Sequence, residues 1–376
     1  MAGIYLHIPF CTQACHYCDF HFSTNTAIKT DLIHAMGEEI SLQQNYLQGE
    51  VLNTIYFGGG TPSLLNKKEL SHLLDTIYHT HAVAADAEIT VETNPDDVTP
   101  RKLSEFKSLR INRLSIGIQS FDDALLKYLN RIHHADTAIR SVEMARETGF
   151  ENISIDLIYA IPGLSNLAWK KNIAKAVELH PEHISAYTLT IEEKTTFGNW
   201  LARGKLKPVD ETLAAEQFET LMEDLRKAGY AQYEISNFAR PGFESRHNSS
   251  YWKGEKYLGV GPSAHSYNKM SRQHNINNNH QYVRSLREKI IPCEIEILRK
   301  EDHINEYILT TLRTDRGCNI EKLKSDFDYD LLRLHAGYLE ELKSRRLITI
   351  QDKFLKLTEP GRLLADKISS DLFLIE

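Results

Sequence analysis

An α/β fold, with six strand–helix units curling into an incomplete barrel and a small winged-helix-like domain behind it, is what the sequence predicts. Two periodicities alternate through the first half of the chain, polar and glycine-rich turns recur after the strand-like runs, and the texture changes near Glu301. Alternating strands and helices imply right-handed βαβ crossovers and a parallel sheet. A doubly wound open sheet is the competing architecture, since periodicity alone does not separate the two.

The β-rich runs are predicted at Ile4–Ile8, Val51–Phe57, Glu88–Glu92, Arg113–Ile118, Ser154–Tyr159 and His183–Leu189. Helical spacing is predicted at Leu32–Leu47, Glu69–Tyr78, Lys102–Leu109, Ala135–Thr148 and Trp169–Leu179, and again at Leu213–Lys227 before a strand-like YEIS run. In parallel α/β folds chemistry sits at the carboxyl ends of the strands. CTQACHYC, GGGTP, TNPD, GIQS and IPG all fall there, which predicts one site assembled from many strands. The sequence divides as residues 1–237, an irregular Gly-, Asn-, His- and Ser-rich segment over 238–298, and a C-terminal domain over 299–376. In that last part helices are predicted at Ile304–Leu312, Ile320–Phe327 and Leu331–Ser344, followed by a LITI–FLKLT hairpin and a helix after Pro360.

Composition narrows the function. The 376 residues are 41% hydrophobic and 25% charged, with a net charge of −7. That is the balance of an ordinary globular protein and gives no general attraction to nucleic acid. The C-terminal domain carries 12 basic against 15 acidic residues from Glu301 onward, so its winged-helix pattern predicts a cover for the barrel rather than a DNA reader. No apolar run reaches the roughly 18 residues that span a bilayer, and MAGIYLHIPFC lacks the basic region of a signal peptide. A cytoplasmic location, where thiols stay reduced, follows as an expectation.

Three of five cysteines, Cys11, Cys15 and Cys18, form CxxxCxxC on the first strand-end loop. Three thiolates there can hold three irons of a [4Fe–4S] cube and leave the fourth open. A zinc site is the alternative and would recruit His16 or His21 as a fourth ligand. Cys293 and Cys318 have no partner spacing.

CxxxCxxC with aromatic Tyr17 before its last cysteine resembles the radical S-adenosylmethionine (SAM) superfamily. The resemblance implies a partial (β/α)6 barrel and a [4Fe–4S] cluster on Cys11, Cys15 and Cys18. Its open iron would chelate the amino and carboxylate groups of SAM, and one-electron reduction would yield a 5′-deoxyadenosyl radical. Gly58, Gly59 and Gly60, with Thr61, match the family's contact to the methionyl amine. YLHIPFC, GGGTP and SIGIQSF, with Glu92, Gln119, Arg131 and Asp156, resemble the relatives of oxygen-independent coproporphyrinogen III oxidase. In those relatives the matching positions hold the ribose, carboxylate and adenine of SAM, and Tyr5 lies near the cluster.

The branch decides the activity. Phe20 stands where the dehydrogenase branch carries a fourth cysteine, which weighs against oxidative decarboxylation of coproporphyrinogen III, the competing function. RHNSSYW contains HNxxYW, which resembles the heme-binding signature of the HemW heme chaperones, at His247, Asn248, Tyr251 and Trp252. Imidazole is a common axial ligand of heme iron, and aromatic rings pack on a porphyrin face. The simpler role for His247 and Trp252 is to pin a loop onto the barrel. The resemblance implies heme binding, transfer to acceptor apoproteins, and an electron donor for the cluster. His265 in GPSAHSY is expected near SAM or in packing.

Overall fold

The computed structural model describes residues 2–374. Six parallel strands lie side by side in chain order: β1 (Ala2–Ile8), β2 (Leu52–Gly59), β3 (Val83–Thr93), β4 (Arg113–Gln119), β5 (Ile153–Tyr159) and β6 (His183–Thr188). Side chains alternate between the two faces of a strand. Ile4, Leu6 and Ile8, spaced by two on one face of β1, are fully buried.

Helices close the outer face with narrow apolar stripes. Lys67–Thr80 buries Leu70, Leu73, Leu74 and Ile77, the i, i+3, i+4, i+7 pattern, and Asn66 and Glu69 cap it reciprocally. The sheet then extends beyond the barrel in both directions. β7 (Ala231–Glu234) and β8 (Asn237–Ala239) add to β6 as an antiparallel edge. On the other side β9 (Lys256–Val260) pairs parallel with β1, and β10 (His265–Tyr267), β11 (Ser271–Asn275) and β12 (Cys293–Ile297) follow antiparallel. The twelve strands run β12-β11-β10-β9-β1-β2-β3-β4-β5-β6-β8-β7, an open order that leaves the barrel incomplete.

The expected irregularity of 238–298 is therefore corrected. That segment holds two helices, Arg246–Trp252 and Asn279–Arg287, besides β9 to β12. Its strands are short and polar because they form a sheet margin, so no apolar run announces them. A buried carboxylate fixes them instead: Glu39 accepts from Gly261 N at 2.8 Å, from Asn275 Nδ2 at 2.7 Å and from the Tyr282 hydroxyl.

A second core begins at Ile304 and joins Ile308, Leu312, Leu323, Leu339 and Leu355. It is formed by helices Lys300–Leu312, Ile320–Phe327 and Ala336–Ser344 on a sheet of β13 (Cys318–Asn319), β14 (Ile348–Gln351) and β15 (Phe354–Leu357). This is the winged-helix-like arrangement expected, except that the helix predicted over Leu331–Ser344 breaks at His335. The His335 Nε2 lies 2.7 Å from the Tyr329 hydroxyl, a side-chain bond beside that break.

Candidate functional site

The loop after β1 is shaped by the rest of the chain. Gln13 Nε2 donates to Asn130 O at 2.8 Å, Asn130 Nδ2 returns a bond to Ala14 O at 2.7 Å, and His16 N donates to Leu129 O at 3.1 Å. Cys11, Cys15 and Cys18 thereby open onto a cavity of about 460 Å3 at the carboxyl ends of the strands.

A hydrogen-bond relay joins two of the thiols. Arg131 Nη1 approaches Cys15 Sγ at 3.5 Å, while its Nη2 donates to Asn94 Oδ1 at 2.7 Å. Asn94 Nδ2 donates to Thr61 Oγ1 at 3.3 Å, and Thr61 donates to Cys11 Sγ at 3.4 Å. Burial pushes the Cys18 thiol up to about 12 and raises Cys11 as well. Bare thiolates are disfavoured there, and a bound cationic metal inverts that preference. The donor set fits a multi-iron cluster better than zinc. His16 turns Nδ1 to Tyr128 O at 3.0 Å, and His21 holds Asn279 Oδ1 through Nε2 at 2.7 Å. Among the described residues, no three His, Cys, Asp or Glu side chains close around a single ion.

Tyr17, Gly59, Gly60, Thr61, Glu92, Gln119, Arg131 and Asp156 share the cavity with the cysteines. Tyr5 and Gly58 are not in its lining, contrary to expectation. The Tyr5 hydroxyl lies 3.1 Å from His7 Nδ1, and its ring stacks on Tyr56 at 6.0 Å. A Cβ on Gly58 would meet the Tyr56 and Tyr5 rings at 2.9 and 3.0 Å.

The glycine run also has a packing reason. A Cβ on Gly60 would lie 2.7 Å from Ile8 O and 2.8 Å from Phe10 O, both main-chain atoms. Gly60→Ala is expected to cost about 1–3 kcal/mol by overpacking, and to displace Cys11. Denaturant melts and iron content after reconstitution check both.

Glu92 and Asp156 are two of the carboxyls that line the cavity. Glu92 accepts from the Tyr56 hydroxyl at 2.7 Å and from Gly59 N at 3.2 Å, and Asp156 lies 3.4 Å from Ser115 Oγ. Burial, reinforced by Asp156, lifts Glu92 to about 7, and burial lifts Asp156 to about 6. Folding thus favours protonated Glu92: its contribution is fully present below the ordinary 4.5 and is lost as pH climbs through about 7. Glu92→Gln removes that loss. In urea melts of the SAM-free chain, the variant's stability relative to the parent is expected to rise between about pH 5 and about pH 8.

Gln119 ends β4 with φ of 66°, past an irregularity in its pairing with β5. A left-handed non-glycine residue at a strand end, turned into a cavity, is stored strain of about 1–3 kcal/mol. Sequence reasoning missed Asn94, Arg113, Ser115 and Tyr187, which also line the cavity. Asn94 stands in the TNPD turn already placed at a strand end, so its position was readable though its bonding was not. Arg113 gave no signal, because a strand-opening arginine reads as exposed, yet it is 1% exposed.

The HNxxYW residues do not form one surface. His247 is 1% exposed and stacks on Tyr56 at 4.8 Å. Its Nδ1 lies 2.8 Å from Thr54 Oγ1 and its Nε2 lies 3.0 Å from the Tyr251 hydroxyl. Burial pushes it down to about 3. With both ring nitrogens committed, His247 is packed as a core histidine in this conformation. Asn248 lines the cluster-side cavity, whereas Tyr251 and Trp252 line a second one of about 420 Å3. His265 stacks on His274 at 4.4 Å and does not line the first cavity. No helix among the described residues is long and apolar enough to cross a membrane.

A family model described as the Radical SAM superfamily matches residues 5–174, and one described as the HemN C-terminal domain matches residues 298–364. Coproporphyrinogen III oxidase (HemN) from Escherichia coli superposes with a TM-score of 0.85, covering 99% of this chain and 90% of that one at 23% identity, which shows the fold. The heme chaperone HemW of Bacillus subtilis (strain 168) is 35% identical over 371 residues, 98% of each chain. Its counterpart from Lactococcus lactis subsp. lactis (strain IL1403) is 36% identical over 368 residues, 97% of this chain and 95% of that one. Identity of this level from end to end, on top of the three-cysteine loop and the strand-end cavity, means that the chain belongs to the HemW family of radical SAM proteins.

Proposed function

We propose that this chain is a cytoplasmic heme chaperone, which binds heme and passes it to acceptor apoproteins. In this reading Cys11, Cys15 and Cys18 hold a [4Fe–4S] cluster, SAM lies beside it, and an electron donor serves the cluster. The observation that carries the reading is the likeness to a heme chaperone along 98% of both chains. Phe20, 69% exposed at the cavity and two residues after Cys18, supports it, since the porphyrinogen-oxidising branch has a thiol at that point.

When bound, the cluster and SAM supply one-electron chemistry at the sulfonium. The chain's own residues position and shield. Arg131 donates to Cys15, which stabilises negative charge on sulfur. Glu92 and Asp156 offer acceptors to hydroxyl and ammonium groups, and the buried strands beneath them exclude water.

The test is anaerobic: reconstituted chain with SAM, reductant and coproporphyrinogen III, followed for porphyrin products and 5′-deoxyadenosine. A hemin-loaded sample is then mixed with a heme-free acceptor. Heme transfer, with coproporphyrinogen III left unconverted, is the expected result. Protoporphyrinogen formed in step with 5′-deoxyadenosine overturns the reading and makes the chain a dehydrogenase.

A further inference from the structure

The second cavity lies between the HNxxYW helix, the β9–β11 margin and the C-terminal domain, and the cluster chemistry makes no use of it. Six aromatic rings line it: Tyr251, Trp252, Tyr257, Tyr267, Tyr307 and Phe327. Tyr251 meets Tyr257 edge-on at 4.6 Å, and Tyr257 lies 6.2 Å from Tyr267. Its volume of about 420 Å3 falls in the range of pockets that enclose a small organic ligand, roughly 300–1,000 Å3.

Polar groups converge on the same space. His303, on helix Lys300–Leu312, is half-buried in the lining and stacks on Phe327 at 6.4 Å. Among the described residues no hydrogen bond occupies either of its ring nitrogens, in contrast to His247. The buried indole N–H of Trp252 also finds no acceptor among the described residues, and such orphan donors in native structures call for an explanation. Arg272 is engaged by Glu306. Lys253, Lys269 and Lys322 also line the cavity, and none has an ion-pair partner among the described residues. Glu255 and Asp326 oppose them, which leaves the lining cationic in a chain of net charge −7.

A flat apolar macrocycle with a metal at its centre and carboxylates at its edge asks for those three things: aromatic faces, a free axial donor and cations. We propose that this cavity seats the heme, with His303 as axial ligand and Lys269 and Lys322 taking the propionates. The inference rests on the heme-chaperone reading and gives it a place in the fold. It also gives the motif histidine a task. His247 is a positioning residue, whose bond to the Tyr251 hydroxyl holds that ring at the cavity wall.

The experiment is a hemin titration of the full-length chain, read from its Soret and visible bands and from electron paramagnetic resonance of the ferric complex. The parent is expected to bind with a histidine-ligated spectrum. His303→Ala is expected to lose that signature and to bind about tenfold or more weakly, the scale set by losses around a metal. His303→Met is expected to keep binding with a shifted ligation spectrum, which separates ligation from folding. Lys269→Glu with Lys322→Glu is expected to weaken binding and leave the ligation signature intact. Parent-like affinity and spectrum in His303→Ala overturn the site while the heme-chaperone reading stands. A parent chain that binds no hemin overturns both.

Discussion

Cys15→Ala is expected to leave the chain unable to hold a [4Fe–4S] cluster, and Cys11→Ala and Cys18→Ala are expected to do the same. Three thiols serve three irons, and neither of the remaining cysteines reaches the loop. Cys293 lies out on β12, and Cys318 is fully buried in the second core. His16 and His21 are held by Tyr128 and Asn279. Iron and sulfide content after anaerobic reconstitution should fall to background, and SAM cleavage to 5′-deoxyadenosine with it. The metal-free fold should barely respond. The loop is held by bonds from Gln13, Asn130 and the His16 main chain, none of which involves a thiol. A melt shifted by more than about 1 kcal/mol, beyond what ordinary loop substitutions cost, would contradict that account of the loop.

His247→Ala is the second large effect, and it appears in stability before it appears in ligand binding. The imidazole is packed against Tyr56 and satisfies Thr54 and Tyr251 together. Its removal opens a cavity and strands two hydroxyls in the interior, a cost of about 3 kcal/mol or more. Gly3 sits in the same contact, with the position of its absent Cβ 3.3 Å from His247 Nδ1, so β1 itself is disturbed. Urea denaturation of the metal-free chain checks this. A loss below about 1 kcal/mol would mean that the ring is not the core element its burial describes.

Much of this was legible in residue patterns. Six strands and their helices came from alternation between two periods, because buried parallel strands need continuous apolar runs and helices need stripes. The cysteines, Thr61, Glu92 and Gln119 were placed at strand ends by sequence position, and Arg131 and Asp156 by resemblance. The fold gathers them into one cavity, although Arg131 comes from the turn after the helix Asp123–Tyr128 and Asp156 from the middle of β5. What stayed hidden depended on partners far along the chain. Nothing local reveals that Glu39, in a helix after β1, organises Gly261, Asn275 and Tyr282. Nothing in HNxxYW reveals that a seven-residue helix turns Asn248 toward one cavity and Tyr251 toward another.

The place of β1 carries a consequence in time. It leaves the ribosome long before β9, yet Ala2 to Leu6 pair with Lys256 to Val260 of that strand. At about 5–20 residues per second, the partner strand emerges roughly 13–50 s after β1 itself. Until then one edge of β1 is an unpaired template beside a loop of three free thiols, open to oxidants and to stray pairing. Loading iron before that moment would place a cluster on an open margin. An ordered maturation is the expected result, with translation past β9 first and metal afterwards, and a ribosome-stalled chain ending before Lys256 should acquire no stable cluster.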